Sequence, residues 1–463
     1  MHSFETLRKK YTEFIYHSFS ITEDDRFINI EYHFSIPNLS EFRPRWRFEK
    51  NESIAVDTKN NSILQNMVFS LGMTELVSYW KITCAPLVIV KAGHLSDSQI
   101  DWWKKQYYGG LGEFFYINKI RTLEADFMKI ETTGEEFSGE LLPIDSSVTS
   151  CLVPVGGGKD SVVTMELLRH MDCEKYGYMV NRRNSSLKTI ETAGLSAENA
   201  VIASRTLDAN MLALNKEGYL NGHTPFSAIV AFSSLIAAYL NNLRYVVLSN
   251  ESSANESTVQ GSDVNHQYSK SFQFESNFSE YEKQYIGSGI YYFSLLRPLS
   301  EFQIAKYFAK FPQYHGIFRS CNAGSKEDVW CGHCSKCLFV ALILSPFLSR
   351  EALRGIFKRD MLDDAELIST FRKLVGMEEE KPFECVGSRD EINVAICLAI
   401  ENYLRAGGNL PALFEYYTTT DLYEKFKSQT DMFDNCYDSE NLLPPEFEAV
   451  LLHECFSEEE KGL

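Results

Sequence analysis

No stretch of this sequence is long and apolar enough to cross a bilayer. The nearest, PFSAIVAFSSLIAAYL at 225–240, falls short of the ~20 residues a spanning helix needs and is interrupted by serines. The opening residues, MHSFETLRKKYTEF, mix charges and lack the apolar core and small-residue cleavage site of an export signal. A cytoplasmic protein with no membrane partner is expected. Positive charge is also scarce, because 45 Lys and Arg face 63 Asp and Glu, a formal net charge of −18. That sign repels a phosphate backbone and argues against a nucleic-acid partner. Repeats, low-complexity tracts and flexible linkers are missing as well. The 11 cysteines, odd in number and scattered, suit reduced thiols and a metal site better than a disulfide framework.

What is present reads as a folded chain: 44% hydrophobic and 23% charged residues, over 463 positions, enough for two or three domains at roughly 150 residues each. In FINIEYHFSI (27–36) apolar and polar residues alternate, as in a half-buried strand. LQNMVFSLGMTELVSYWK (64–81) has helical spacing, and PLVIVKAG (86–93) reads as a buried strand. Residues 1–145 are therefore expected to form an N-terminal α+β domain.

From about 148 the pattern changes to short apolar strands, each followed by a helix: CLVPV, YGYMV, AVIAS and YVVLSN. Such alternation predicts an α/β fold, a doubly wound parallel sheet with its ligand at the carboxyl ends of the strands, over 146–349. Thr224 and Pro225 read as cap and first-turn residue of an apolar helix. Residues 350–463 read as a mostly helical C-terminal region, acidic at its end.

The stretch CLVPVGGGKDSVV (151–163) sets three glycines between a strand and a helix. Successive N–H groups of such a turn point into one concavity, and the helix N-terminus adds its positive end, so the place suits a phosphate. It is not a Walker loop, because Asp160 separates Lys159 from Ser161 and Val153 stands where the first glycine belongs. Nor is it a dinucleotide fingerprint, whose third glycine would fall at Ser161. It resembles the Ser-Gly-Gly-x-Asp-Ser loop of the PP-loop ATP pyrophosphatases, also described as adenine nucleotide alpha-hydrolase-like, with Gly156 in place of the first serine. That superfamily splits ATP between its α and β phosphates and transfers adenylate to a substrate oxygen.

A second signal is SCNAGSKEDVWCGHCSKC, carrying Cys321, Cys331, Cys334 and Cys337. Four thiolates close a tetrahedral zinc shell, the mark of a structural Zn2+. Lys336 and nearby N–H groups would temper their charge. An iron–sulfur centre or a redox pair is the alternative. His333, inside the knuckle, reads as a surface residue.

The order of parts, from glycine loop through NGHTPFS, VVLSNESSANE and LLRPLSEFQIAKYF to the cysteine knuckle, resembles the deazapurine nitrile synthases within that superfamily. Other segments resemble a different branch. LGMTELVSYWK (71–81), GLGEFFYIN (110–118), VNHQYSKSFQFE (264–275), WCGHCSKCLFV (330–340) and KPFECVG (381–387) are together similar to the MurL family, the UDP-N-acetylmuramoyl-L-alanyl-L-glutamate epimerases of peptidoglycan synthesis. The likeness runs from about 65 to 390.

What the resemblance implies is chemically coherent. The Cα–H of a glutamate carboxylate is hard to remove, because the carbanion would sit beside a negative charge. Adenylation with ATP neutralises that charge, after which a base takes the proton and an acid returns one to the other face. The substrate would be UDP-MurNAc-L-Ala-L-Glu, and the phosphates would need Mg2+.

Gly156, Gly157, Gly158, Lys159, Asp160 and Ser161 would hold the ATP phosphates, Asp160 being a candidate Mg2+ contact. Asn181 and Arg205, at ends of the following strands, would meet adenosine or the substrate carboxylate. Glu251, Asn255 and Glu256 follow YVVLSN and are candidates for metal binding or base. His266 in VNHQYSKS is the first proton-transfer candidate and Cys385 in PFECVG the second. Lys270 and Arg182 are candidates for the UDP diphosphate, whereas DWWKK (101–105) reads as core and surface of one helix. Two rival readings remain at this stage: a deazapurine- or tRNA-modifying ATP pyrophosphatase, and a nucleotide-sensing regulator without turnover.

Overall fold

The computed structural model describes residues 3–51 and 57–456, so the acidic end from 457 lies outside the described residues. Eleven strands form one sheet: β1 (Glu13–Glu23), β2 (Phe27–Ile36), β3 (Ser40–Phe42), β4 (Arg45–Glu49), β5 (Leu87–Val90), β6 (Lys129–Thr132), β7 (Cys151–Pro154), β8 (Lys175–Val180), β9 (Ala200–Thr206), β10 (Tyr245–Leu248) and β11 (Tyr291–Ser294). Their order is β11-β10-β7-β8-β9-β4-β2-β1-β5-β6, with β3 beside β2.

The expectation of a parallel sheet holds for β7 to β11, which pair in parallel throughout. N-terminal strands, expected as α+β, occupy the middle of the same sheet. There β1, β2 and β4 pair antiparallel, and β4 joins β9 antiparallel with Trp46 opposite Arg205. The cause is local. Only residues 24–26 separate β1 from β2, and Asp24 accepts hydrogen bonds from Arg26 N and Phe27 N, closing a tight turn that reverses the chain. Strands from both sides of residue 145 thus share one sheet. The arginine-bearing segment RWRFE became β4, with Trp46 and Phe48 turned inward.

The pleat divides the molecule into two cores. Leu152 and Val246 face one, while Cys151, Val153, Tyr245 and Val247 face the other. The first core holds helices Ser62–Trp80 and Phe226–Leu240, which pack together and are buried over most of their surface. Gly72 is needed there, because a Cβ at that position would lie 2.1 Å from the Tyr16 hydroxyl. Pro225, not Thr224, is the cap residue of the second helix, and it offers no side-chain cap. The Thr224 hydroxyl is engaged elsewhere, 2.6 Å from Lys81 Nζ.

The second core holds helices Lys159–Leu168, Glu301–Phe308, Ser335–Leu344 and Arg389–Arg405. The expected helical C-terminal region is seen in segments from Arg350–Phe357 to Pro445–Phe456. Chain order sets the functional geometry. From β7 the strands step to one side through β8 and β9, and to the other through β10 and β11. The carboxyl ends of β7 and β10 therefore flank a topological switch point, where α/β sheets open a crevice.

Candidate active site

Strand β7 delivers the chain into Gly156–Gly158 at that crevice. Gly157 has φ +83°, and a Cβ there would lie 2.6 Å from Ser185 Oγ, so the turn tolerates only glycine. Gly156 faces open space, with nothing within 4 Å of where its Cβ would stand. Gly158 is the cap residue of helix Lys159–Leu168 and supplies no side-chain cap, which leaves first-turn N–H groups for a ligand. Ser185 and Ser186, from helix Asn184–Thr192, are buried, and their hydroxyls have no hydrogen-bond partner among the described residues.

The turn borders a cavity of about 350 Å³. One part is apolar, lined by Met179, Val180, Phe226, Val230 and Leu248. The other carries Gly156, Gly158, Asp160, Ser161, Ser186 and two ammonium groups, Lys270 and Lys336. Lys159, expected at the phosphates, does not line it. Its ammonium is buried between Asp160 and Glu301, and although burial opposes the charge, those carboxylates raise its pKa. Lys270 and Lys336 occupy the place expected of Lys159.

Cys385 opens into the same cavity, beside Glu384. Its segment precedes helix Arg389–Arg405 and is held by Lys336 Nζ on the Cys385 carbonyl and Gln267 Nε2 on the Val386 carbonyl. Burial opposes a thiolate here, but Lys270, the contact with His266, and Lys336 outweigh it and pull the pKa down to about 6. Burial likewise opposes an imidazolium at His266. Contacts with Cys385 and Glu113 overcome it and raise His266 to about 9. Glu113 Oε2 lies 2.5 Å from His266 Nδ1 and 3.4 Å from His223 Nδ1. Burial and the neighbouring His266 push His223 down to about 4.

Glu113, His223 and His266 are close enough to suggest a metal centre. Two nitrogen or oxygen ligands about 2.1 Å from one tetrahedral ion would stand about 3.4 Å apart. The 2.5 Å separation of Glu113 and His266 is instead a direct hydrogen bond. The two proton-transfer candidates, 119 positions apart in sequence, are thus brought together. Glu113 and His223 were not anticipated, lying in the apolar-looking GLGEFFYIN and in NGHTPFS.

Other expected site residues have structural partners. Arg205 forms a part-buried two-pronged pair with the buried Glu75, Nε to Oε1 at 2.6 Å and Nη2 to Oε2 at 2.7 Å, and does not line the cavity. Asn181 ties β8 to β9, its side chain bonding both N and O of Arg205. Arg205 turns toward helix Ser62–Trp80 and Asn181 toward Arg205, although Met179 and Val180, just before Asn181, line the crevice.

Glu251 is buried, its carbonyl accepts from Arg297 Nη1, and its charge acts on Lys270. Glu256 pairs with Lys381 and Arg389, tethering the segment that carries Cys385. Asn255 accepts from Phe272 N, and Arg182 is exposed. Lys270, expected at the UDP diphosphate, lines the glycine cavity.

The four knuckle cysteines converge. Sulfur separations are 3.7 Å for Cys321–Cys334, 3.7 Å for Cys331–Cys337 and 3.5 Å for Cys334–Cys337. Four thiolates at about 2.3 Å from a tetrahedral ion would stand about 3.8 Å apart, so the donor set fits a single metal. His333 is exposed, with Nδ1 against the Cys331 carbonyl, and is not one of the four.

Fold and site define an α/β protein with a glycine turn at the switch point of a mixed sheet, and a neighbouring cysteine and histidine beside the same cavity. Comparison with known proteins agrees along most of the chain. The model of the MurL N-terminal domain matches residues 5–295, and that of the MurL C-terminal domain matches 317–413. Among curated relatives is the UDP-N-acetyl-alpha-D-muramoyl-L-alanyl-L-glutamate epimerase of Xanthomonas oryzae pv. oryzae, 34% identical over 352 residues, 74% of this chain and 76% of the relative. Proteins of the same name from Micromonospora sp. (36% identical, 70% of this chain and 72% of the relative) and Salinispora tropica (37%, 70% of each) are similar to it as well. The chain belongs to the MurL family.

Proposed function

We propose that this chain epimerises the terminal L-glutamate of UDP-MurNAc-L-Ala-L-Glu to the D form, in peptidoglycan precursor synthesis, by activating its carboxyl group with ATP as in the PP-loop ATP pyrophosphatases. The observation that carries this reading is that Cys385, with Lys270, Lys336 and His266 around it, and the glycine turn open into one cavity. Activation and proton removal can then act on one bound substrate.

In this reading the adenine occupies the apolar part of the cavity beside Phe226 and Val230, with the phosphates against Gly156–Ser161. A carboxylate oxygen of the substrate attacks the α-phosphorus, the bond to the β-phosphate oxygen breaks, and diphosphate leaves. The turn N–H groups and the unpartnered hydroxyls of Ser185 and Ser186 receive its charge. Asp160 is the residue that would hold Mg2+, a hard cation that prefers oxygen ligands and would neutralise phosphate charge.

The adenylate removes the negative charge that made the Cα–H inert. The Cys385 thiolate takes that proton, with Lys270 and Lys336 positioned to stabilise enolate charge. Water on the opposite face returns a proton and inverts the centre, the hydroxide so formed takes the proton from the Cys385 thiol, and a second water hydrolyses the adenylate to release AMP. His266 and Glu113 hold Cys385 in its charged form. Glu251 acts through Lys270 and is a positioning residue.

Cys321, Cys331, Cys334 and Cys337 would hold a structural zinc. Once bound it would stiffen the segment that carries Ser320, Asn322 and Lys336 to the cavity wall. The test is to incubate the protein with ATP, Mg2+ and UDP-MurNAc-L-Ala-L-Glu, then measure glutamate chirality, AMP and diphosphate together. D-glutamate appearing with AMP and diphosphate supports the reading. Unchanged chirality, with a D-glutamyl standard surviving work-up, rejects it.

A further inference from the structure

A second cavity, about 1240 Å³, shares a wall with the first. The segment 264–273 forms that wall: Asn265, Tyr268 and Ser271 line the large cavity, while Lys270 lines the small one and His266 meets Cys385. The helix Gly112–Ile117 repeats the arrangement. Phe115 and Tyr116 line the large cavity, whereas Glu113 reaches His266. Nothing in the chemistry described above uses this space.

Its size and lining restrict what it takes. Small-ligand pockets run to roughly 300–1,000 Å³, so the glycine cavity suits one mononucleotide and the large cavity a longer molecule. Its lining carries two exposed cations, Lys105 and Arg121, neither with an ion-pair partner among the described residues, beside three carboxylates, Glu124, Asp263 and Glu440. Tyr108 and Tyr116 offer aromatic surface, and Asp263 offers a carboxylate for hydroxyl groups. Cations for a diphosphate, rings for a base and a carboxylate for a diol together match a nucleoside diphosphate sugar.

We propose that the large cavity binds the nucleoside diphosphate sugar portion of the substrate, with Lys105 and Arg121 on the diphosphate, so that the peptide crosses the 264–273 wall to present its carboxylate beside Cys385. This rests on the reading under Proposed function and adds the subsite. Lys105 belongs to the DWWKK stretch, whose Trp103 is buried in the core as its pattern implied.

The test uses UDP and UDP-N-acetylglucosamine as probes, titrated calorimetrically into the full chain without ATP. Both probes should bind, and Lys105→Ala and Arg121→Ala should each weaken UDP about tenfold, one charged hydrogen bond being worth about 1.4 kcal/mol or more. Affinity for ATP should stay within twofold, which also shows that the variants are folded. No UDP binding by the parent chain, or equal UDP affinity in the double variant, overturns the proposal. Turnover separates it from the function: D-glutamate production with an unchanged KM in the double variant sinks the subsite alone. Charge-dependent UDP binding with no AMP formed from the complete substrate leaves the subsite standing and sinks the epimerase reading.

Discussion

Cys385 shows how one residue's chemistry is set by neighbours distant in sequence. A thiol buried alone would be inert, because its charged form loses solvation. Lys270, His266 and Lys336 reverse that balance and leave a thiolate at neutral pH, with His266 still protonated. If the ion pair is the working form, kcat/KM should rise with pH as Cys385 ionises near 6 and fall as His266 loses its proton near 9. Glu113→Gln should move the alkaline limb to lower pH, since Glu113 helps to raise His266. A profile unchanged by that variant would remove Glu113 from that role. Cys385→Ala should lower the epimerisation kcat by about 10²- to 10⁴-fold, the usual weight of a general base. Exchange of labelled diphosphate into ATP, which needs only adenylation, should persist in it. His266, in a polar stretch, and Cys385 were legible as proton-transfer candidates. Glu113 was not, because a glutamate amid phenylalanines carries no sign of which partner the fold brings to it.

At the scale of elements, the glycine turn and the cysteine knuckle carry the site's geometry. Gly157→Ala would place a side chain at φ +83° and against Ser185, so it should cost more than about 1 kcal/mol in urea melts and raise KM for ATP. A variant of parental stability and KM would mean that the turn relaxes freely. The knuckle should yield close to one zinc per chain by elemental analysis, and Cys334→Ser or chelation should remove the metal and lower Tm. Iron together with labile sulfide would instead identify a cluster. These elements were readable because their signals are local: consecutive glycines after a strand, and cysteines two residues apart. The roles of Lys159 and Arg205 were not local. Lys159 meets Glu301 and Arg205 meets Glu75, partners set by packing across the sheet.

For the molecule as a whole, the sheet's continuity depends on the join between β4 and β9, and a part-buried ion pair lies behind that join. Glu75, on helix Ser62–Trp80, accepts from both Arg205 on β9 and Trp46 Nε1 on β4. Glu75→Ala would strand a part-buried guanidinium, and should cost about 3–5 kcal/mol in denaturant unfolding. A loss below about 1 kcal/mol would show that water reaches Arg205 and that the pair does not brace the sheet. The same join brings the N-terminal strands onto the edge of the parallel set, which explains why the mixed sheet was not legible. A strand's pattern, such as the alternation of β2, reports which face is buried, but it does not report the direction of the neighbour.

The sequence alone determined the strand–turn–helix around Gly156–Gly158, the four-cysteine cluster, the helical end and the family likeness, because each rests on residues close together along the chain or on the chain's own order of segments. The tertiary structure decided which charges face the crevice. Lys270 and Lys336 replaced Lys159 there, His266 and Cys385 met through Glu113, and Arg205 was drawn into the core. Burial makes an unpaired charge costly, so each charge ends beside whichever opposite charge the packed elements bring within reach, and that pairing exists only once the chain has folded.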